Sequence, residues 1–363
     1  MNLDELRLGL TFDDVLLVPQ RSSIRSRRDI SVATRLTRDV SLDIPIVAAN
    51  MDTVCETDMA AAMAVLGGVG IIHRFLTIDV QCDMVDQARS QAEKAGATNV
   101  VIGAAIGTDH DAGRRTDALL AAGADVLVLD IAHGHADHAI DTLRQIKTEH
   151  PEAQVVAGNV ATRDGASELV AAGADAVKVG VGPGGVCTTR LVAGVGVPQL
   201  TAIADCADLR DDRGDPVPVI ADGGIRTSGD IAKALAAGAS SVMLGSLFAG
   251  TKESPGDVEQ SSRGLVKRVR GMASFEAIEA RAARSGEDVD SEYFEQRAPE
   301  GVEGTVPYRG EVDKVVAHLL AGLRSGMSYS NAATIEDFWA AARFIRVTNN
   351  GVRENQPHAT FDH

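Results

Sequence analysis

The stretch VPVIADGGIRTSGDIAKALAAGASSVMLGS, residues 217–246, decides the fold. It reads as a short apolar run (217–224), a helix-like stretch, a glycine stop inside AAGAS (236–240) and a second apolar run (241–246). Runs that are apolar on successive residues are how strands buried on both faces of a parallel sheet read. Six more runs of this kind stand upstream: 44–50 IPIVAAN, 68–73 GVGIIH, 100–106 VVIGAAI, 126–131 VLVLDI, 154–160 QVVAGNV and 176–182 AVKVGVG. The lead-in repeats as well, as AAGAD at 121–125 and 171–175. A glycine there stops a helix and turns the chain straight into the next strand. Eight such units predict an α/β fold, a closed (β/α)₈ TIM barrel, rather than an open doubly wound sheet.

Residues outside the repeat predict its attachments. LTFDDVLLVPQ and SVATRLTRDV, within an extension over 1–43, are expected to pair as a hairpin covering one end of the barrel. Residues 251–310 are charged, punctuated by Gly and Pro, and lie between the last strand and the helix-like EVDKVVAHLLAGL (311–323). So long a segment without regular pattern reads as a lid, here a flap over the catalytic face. The 363 residues are then one barrel domain, since α/β barrels routinely exceed 250 residues.

Composition narrows the function. The net charge is −16 and aromatic residues make up 3%, which excludes a polyanion-binding surface or a base-stacking platform while leaving small nucleotides open. Cys55, Cys82, Cys187 and Cys206 are scattered without metal spacing, which fits a reducing compartment. The acidic N-terminus lacks a signal-peptide pattern, and no apolar run approaches a membrane span. The expectation is a cytoplasmic protein with neither nucleic-acid nor membrane partners.

Barrel enzymes place their chemistry at the C-terminal ends of the strands. Asn50, His73, Asp130, Asn159, the Cys187 loop, Asp222 and Ser246 all fall there. Gly223 and Gly224 after the seventh strand, with Gly245 and Ser246 after the eighth, supply backbone N–H groups for a phosphate. Asp222 beside them is placed to accept from a ribose diol. Gly180, Gly182 and Gly185 formally match G-x-G-x-x-G, but Pro183 interrupts the turn, and Gly194, Gly196 and Pro198 break any helix that would follow. Cys187, in GVGPGGVCTTR (180–190), is presented by a Gly-Pro-Gly-Gly loop and reads as a covalent nucleophile. The histidines of HGHADH (His133, His135, His138) have no carboxylate or thiol spaced to complete a metal site.

LTFDDVLLVP (10–19), NMDTV (50–54), GNVAT (158–162), GVGPGGVCTTR and the opening stretch together resemble the IMP dehydrogenase and GMP reductase family nearly end to end. The resemblance implies a barrel assembled as a homotetramer or higher, in which Cys187 attacks C2 of a purine nucleotide and Thr189 belongs to the catalytic loop. It implies that Asn50, Gly184, Gly185, Asp222, Gly223, Gly224, Gly245 and Ser246 hold the nucleotide. Gly271 and Met272 would address the base with Glu300. Asp130, Ala132, His133 and Asn159 would face the nicotinamide. Carbonyls of Gly182, Gly184 and Cys187 would offer a monovalent-cation site of the kind that takes K+.

Dehydrogenases of the family resemble one another in an Arg-Tyr pair on the flap that activates water. Here DSEYFEQ keeps Tyr293 but has Glu292 where the arginine is expected, which inverts the local field. AANMDTV, LDIAHG and TIEDFWAAARFIRV are closer to reductases, and Thr108 resembles the reductase threonine that handles departing ammonia. No inserted regulatory (CBS) domain fits between His73 and Val100. PEGVEGTVPYRG (299–310) is similar to bacterial dehydrogenases instead. Arg74 stands where reductases carry lysine, and Gly185 replaces the usual loop serine. The expectation is an NADPH-dependent GMP reductase. The alternatives are an IMP dehydrogenase, a nucleotide-binding regulator without turnover and, distantly, a flavin-dependent barrel oxidase.

Overall fold

The computed structural model describes residues 6–285 and 298–356. Eight parallel strands close into a barrel: β4 (Ile46–Ala48), β5 (Val69–Ile72), β6 (Ile102–Ile106), β7 (Val126–Asp130), β8 (Gln154–Val160), β9 (Ala176–Val179), β10 (Val219–Asp222) and β11 (Ser241–Leu244). All eight fall inside the apolar runs read from the sequence. Closure is the pairing of Val242, Met243 and Leu244 with Ile46, Val47 and Ala48. Helices Thr57–Val65, Ile78–Lys94, Ala112–Ala121, Asp137–Glu149, Arg163–Ala171, Gln199–Cys206, Ser228–Ala236 and Val312–Tyr329 surround the strands. The connection from β5 to β6 contains one helix, Ile78–Lys94.

The repeated AAGAD and AAGAS connectors have a shared physical role. Gly123, Gly173 and Gly238 take φ of +90°, +106° and +109°, the left-handed turn that ends each helix. The residue two places on then ties its strand to the preceding one. Asp125 donates its amide to Ile102 O (2.9 Å) and accepts Ile102 N at its carboxylate (2.7 Å). Asp175 does the same with Val155, at 2.8 Å each way. Ser240 repeats the pattern with Val219, at 2.8 and 3.4 Å.

The N-terminal extension does not form the expected hairpin. β1 (Val15–Leu17) pairs antiparallel with β15 (Phe344–Arg346) near the other end of the chain. β2 (Thr34–Arg35) pairs instead with β3 (Ser41–Leu42). The two segments are kept apart because Phe12, 1% exposed, is anchored to the barrel flank, where Lys233 donates to its carbonyl at 2.9 Å. The apolar tail strand then offers β1 the nearer partner.

The flap carries more order than its composition suggests. β12 (Glu259–Ser261), β13 (Gly264–Arg270) and β14 (Glu303–Pro307) form an antiparallel sheet, and helix Phe275–Ser285 lies between β13 and β14 in the chain. Val266 and Val269 are buried on opposite faces of β13, and Lys267 is buried because its ammonium donates to the carbonyls of Thr251 and Ser254. Glu292 and Tyr293 lie outside the described residues. Among the described residues no helix is long and apolar enough to cross a membrane.

Candidate active site

A cavity of about 610 Å³ opens at the C-terminal mouth of the barrel under the flap. Of the strand-end residues, Asn50, Asp130, Asn159, Cys187 and Asp222 line it. The flap contributes Gly271, Met272, Phe275, Ile278 and Glu300.

Cys187 is half-buried, and its Sγ lies 3.2 Å from Thr189 Oγ1. Its loop is a turn closed by Cys187 N to Gly184 O (3.1 Å) and is stitched to the flap. Cys187 pairs with Gly301 as an isolated antiparallel bridge, Val302 N donates to Val186 O (3.0 Å), and Thr188 N donates to Glu300 O (2.9 Å). Glu300 is thereby held at the wall that carries the thiol. The other cysteines are different in kind. Burial pushes the Cys55 thiol up strongly, Cys206 up to about 12, and Cys82 upward as well, so all three stay protonated.

The floor is a buried ion cluster that sequence reading missed. Lys178, 2% exposed on β9, sets its Nζ 2.7 Å from Asp130 Oδ1 and 2.9 Å from Asp222 Oδ2, and also donates to Asn159 Oδ1. Asn50 Nδ2 donates to Asp130 Oδ2 at 2.8 Å. Asn159 Nδ2 donates to Asp222 Oδ2 (2.8 Å) and Gly180 O (2.7 Å). Burial alone would raise the Asp130 carboxyl, but Lys178, Arg74 and Asn50 together hold it below the usual carboxylate range. Burial would likewise lower Lys178, and the two carboxylates overcome it and push the ammonium up. The one available signal was a lysine inside an otherwise apolar strand run, a residue buried only when paired.

Of the glycine cradle, Gly184 lines the cavity, and Gly185, Gly223, Gly224 and Gly245 adjoin it. Gly223 and Gly224 take φ of +89° and +79° against Pro183 and Gly184. Gly185 faces the Ser246 hydroxyl, which a Cβ there would meet at 3.3 Å, and Gly245 abuts Met51. The amides of Gly184, Gly185, Gly223 and Gly224 donate to no backbone carbonyl among the described residues. They are therefore open donors beside the N-terminus of the short turn Ser246–Ala249.

Other predicted positions separate. Ala132 lines the cavity, while His133 is exposed beside His135 at 6.3 Å between ring centroids. His73 is fully buried and structural. Phe75 N donates to its Nδ1 (3.2 Å), so Nε2 carries the hydrogen and donates to Glu56 Oε1 at 3.1 Å. Thr108 lies off the cavity wall, between Gly107 and Asp109, both on a neighbouring cleft. Arg74 belongs to both spaces, lies 3.4 Å from Asp109 and covers the Phe75 ring at 5.5 Å. Gly182 and Gly184 line the cavity beside Cys187.

Against known proteins, residues 9–358 match the family model described as IMP dehydrogenase / GMP reductase domain. The chain is 38% identical to inosine-5'-monophosphate dehydrogenase of Nitrosopumilus maritimus, covering 98% of this chain and 99% of that one. That alignment runs over 472 positions, more than the 363 residues here, so the relative carries segments this chain lacks. It is 37% identical to GMP reductase of Leishmania donovani, with 98% of each covered. A crystal structure of a Cys-to-Ala variant of GMP reductase from Trypanosoma brucei, in complex with guanosine 5'-monophosphate, superposes with a TM-score of 0.91 at 36% identity over 99% of both chains.

Proposed function

The chain belongs to the IMP dehydrogenase / GMP reductase family, oxidoreductases of purine nucleotide metabolism, and on that premise we propose that it is an NADPH-dependent GMP reductase. The carrying observation is the Cys187 thiol in one cavity with Asp222, Asp130 and Glu300. The choice of reductase rests on Glu292, an anion where a water-activating arginine would stand.

In this reading the 5'-phosphate sits on the open amides of Gly184, Gly185, Gly223 and Gly224 with Ser246. The ribose diol donates to Asp222, whose Oδ1 takes no hydrogen bond within the described chain. Gly271 and Met272 border the base. Cys187 Sγ bonds to C2 of GMP, and the 2-amino group leaves as ammonia after gaining a proton. Thr189, in contact with Sγ, and Glu300, held beside it, are the groups that would manage protons there, while Thr108, off the cavity wall, takes no part in this reading. A hydride, which NADPH would supply when bound, would then reach C2 as the C–S bond breaks and Cys187 returns as thiolate. GMP, NADPH and two protons give IMP, NADP+ and ammonium.

For a nicotinamide, Ala132, Ile131, Phe275 and Ile278 offer apolar wall and Asp130 and Asn159 offer polar partners for an amide, while Asn50, on the nucleotide side, donates to Asp130. His133, exposed at the rim, completes the cofactor side. Carbonyls of Gly182, Gly184 and Cys187 are oxygen donors suited to K+, which would steady the nucleophile loop; the Gly184 carbonyl already accepts the Cys187 amide. The exposed Leu191, Val192 and Val195 next to that loop support assembly into a homotetramer or larger. The lone helix between β5 and β6 supports a single catalytic barrel without an inserted regulatory domain.

NADPH deuterated at the transferred position tests the chemistry. The IMP formed should carry one deuterium at C2, and Cys187→Ser should form none. Labelled IMP from the serine variant would remove the covalent route.

A further inference from the structure

The ion cluster beneath the cavity joins two subsites that the proposed reaction keeps separate. Lys178 is one cation shared by two carboxylates, Asp222 and Asp130, at 2.9 and 2.7 Å. Asn159 ties the same ammonium to Asp222, and Asn50 ties Asp130 from the opposite side. Lys178 is buried, so its ammonium is divided between the two carboxylates without solvent competing for it. Whatever draws the ammonium toward one carboxylate loosens it from the other. Arg74, whose charge also acts on Asp130, is the further cation facing the cluster.

We propose that Lys178 is a positioning residue that couples the nucleotide subsite at Asp222 to the nicotinamide subsite at Asp130. This rests on the assignment of Asp222 to the ribose and Asp130 to the cofactor. Ribose hydroxyls donating to Asp222 satisfy part of its charge and shift Lys178 toward Asp130, which resets the cofactor side before hydride transfer. By reciprocity, a change at Asp130 alters affinity for the nucleotide, although Asp130 is assigned no contact with the ribose.

Asp130→Asn is the direct test, because it keeps the shape and removes the competing charge. Lys178 then belongs to Asp222 alone, and the ribose meets a weaker acceptor. Calorimetry with GMP on the whole chain should give binding about five- to tenfold weaker than wild type. In a Lys178→Met background the same Asp130→Asn change should leave GMP affinity unaltered, because the cation shared by the two carboxylates is gone. A purely structural Lys178 would lower the melting temperature of the methionine variant and leave GMP binding to Asp130→Asn unchanged. Wild-type affinity for GMP in Asp130→Asn would therefore overturn the coupling. A wild-type chain that binds no GMP would overturn the functional reading, and the coupling with it.

Discussion

The amide of Thr188 donates to the carbonyl of Glu300 at 2.9 Å, so the loop that presents Cys187 and the flap segment that carries Glu300 are one backbone unit. The Cys187–Gly301 bridge and the Val302 to Val186 bond repeat the connection on either side. A nucleophile loop made of glycines gains its order from this seam. Displacing the flap therefore disorders the thiol as well as exposing the site.

The first consequence concerns alkylation. Cys187 faces a cavity, whereas Cys55 and Cys206 are buried thiols pushed far above neutrality. Limiting iodoacetamide on the folded chain should modify Cys187 first, read by peptide mass spectrometry, and GMP should protect it. Labelling of Cys82 ahead of Cys187 would contradict the site's accessibility.

Arg270 anchors the flap sheet to the barrel. Its guanidinium pairs with Asp52, whose side chain is fully buried, and it directly precedes Gly271 and Met272. Arg270→Ala leaves that carboxylate unpaired and should cost about 3 kcal/mol in denaturant unfolding, with kcat/KM falling too. A variant with unchanged stability would make the pair a surface contact in energetic terms.

Gly185 stands where a serine would add a donor to the phosphate cradle. Its backbone does not occupy the left-handed region, and a new Cβ would sit 3.3 Å from the Ser246 hydroxyl, which can rotate. Gly185→Ser should fold normally and tighten GMP by about threefold, near one added hydrogen bond. Weaker binding would mean the cradle is already filled to capacity.

Acid stability follows from the cluster at Lys178. Asp130 is held below its ordinary 3.8, so its contribution is present above that value and is lost as pH falls through the lower folded one. Lys178 is raised above 10.5, so its contribution is full below 10.5 and is lost only when pH rises through the higher folded value. Between these limits the pair is neutral to pH. Lys178→Met should lose about 3 kcal/mol near neutrality and recover part of it as the medium is acidified toward pH 4, where an orphaned carboxylate takes a proton. Melting temperatures of both proteins from pH 4 to 8 read this as a narrowing gap.

The barrel was legible because buried parallel strands leave continuous apolar runs and because the connector repeats. Val126–Asp130 and Ala176–Val179 were found this way, and so were the residues at their ends. The N-terminal pairing was not, because strands of two or three residues carry no periodicity and β1 finds its partner more than three hundred residues away. The flap sheet was hidden by its charge: Lys267 is buried through its carbonyl partners, and Arg268 pairs with Glu259 and Glu303 on the exposed face. At the site, Asp222 and Cys187 declared themselves by position. Lys178 did not, because its role depends on three residues from other strands converging on it, which no local pattern encodes.

The central claim is tested most directly by nicotinamide absorbance at neutral pH, with GMP plus NADPH in one cuvette and IMP plus NAD in another. The account predicts loss of NADPH absorbance with one ammonium released per NADPH in the first, and no change in the second. NADH formation together with XMP would contradict it, and would mean that the chain activates water without the flap arginine.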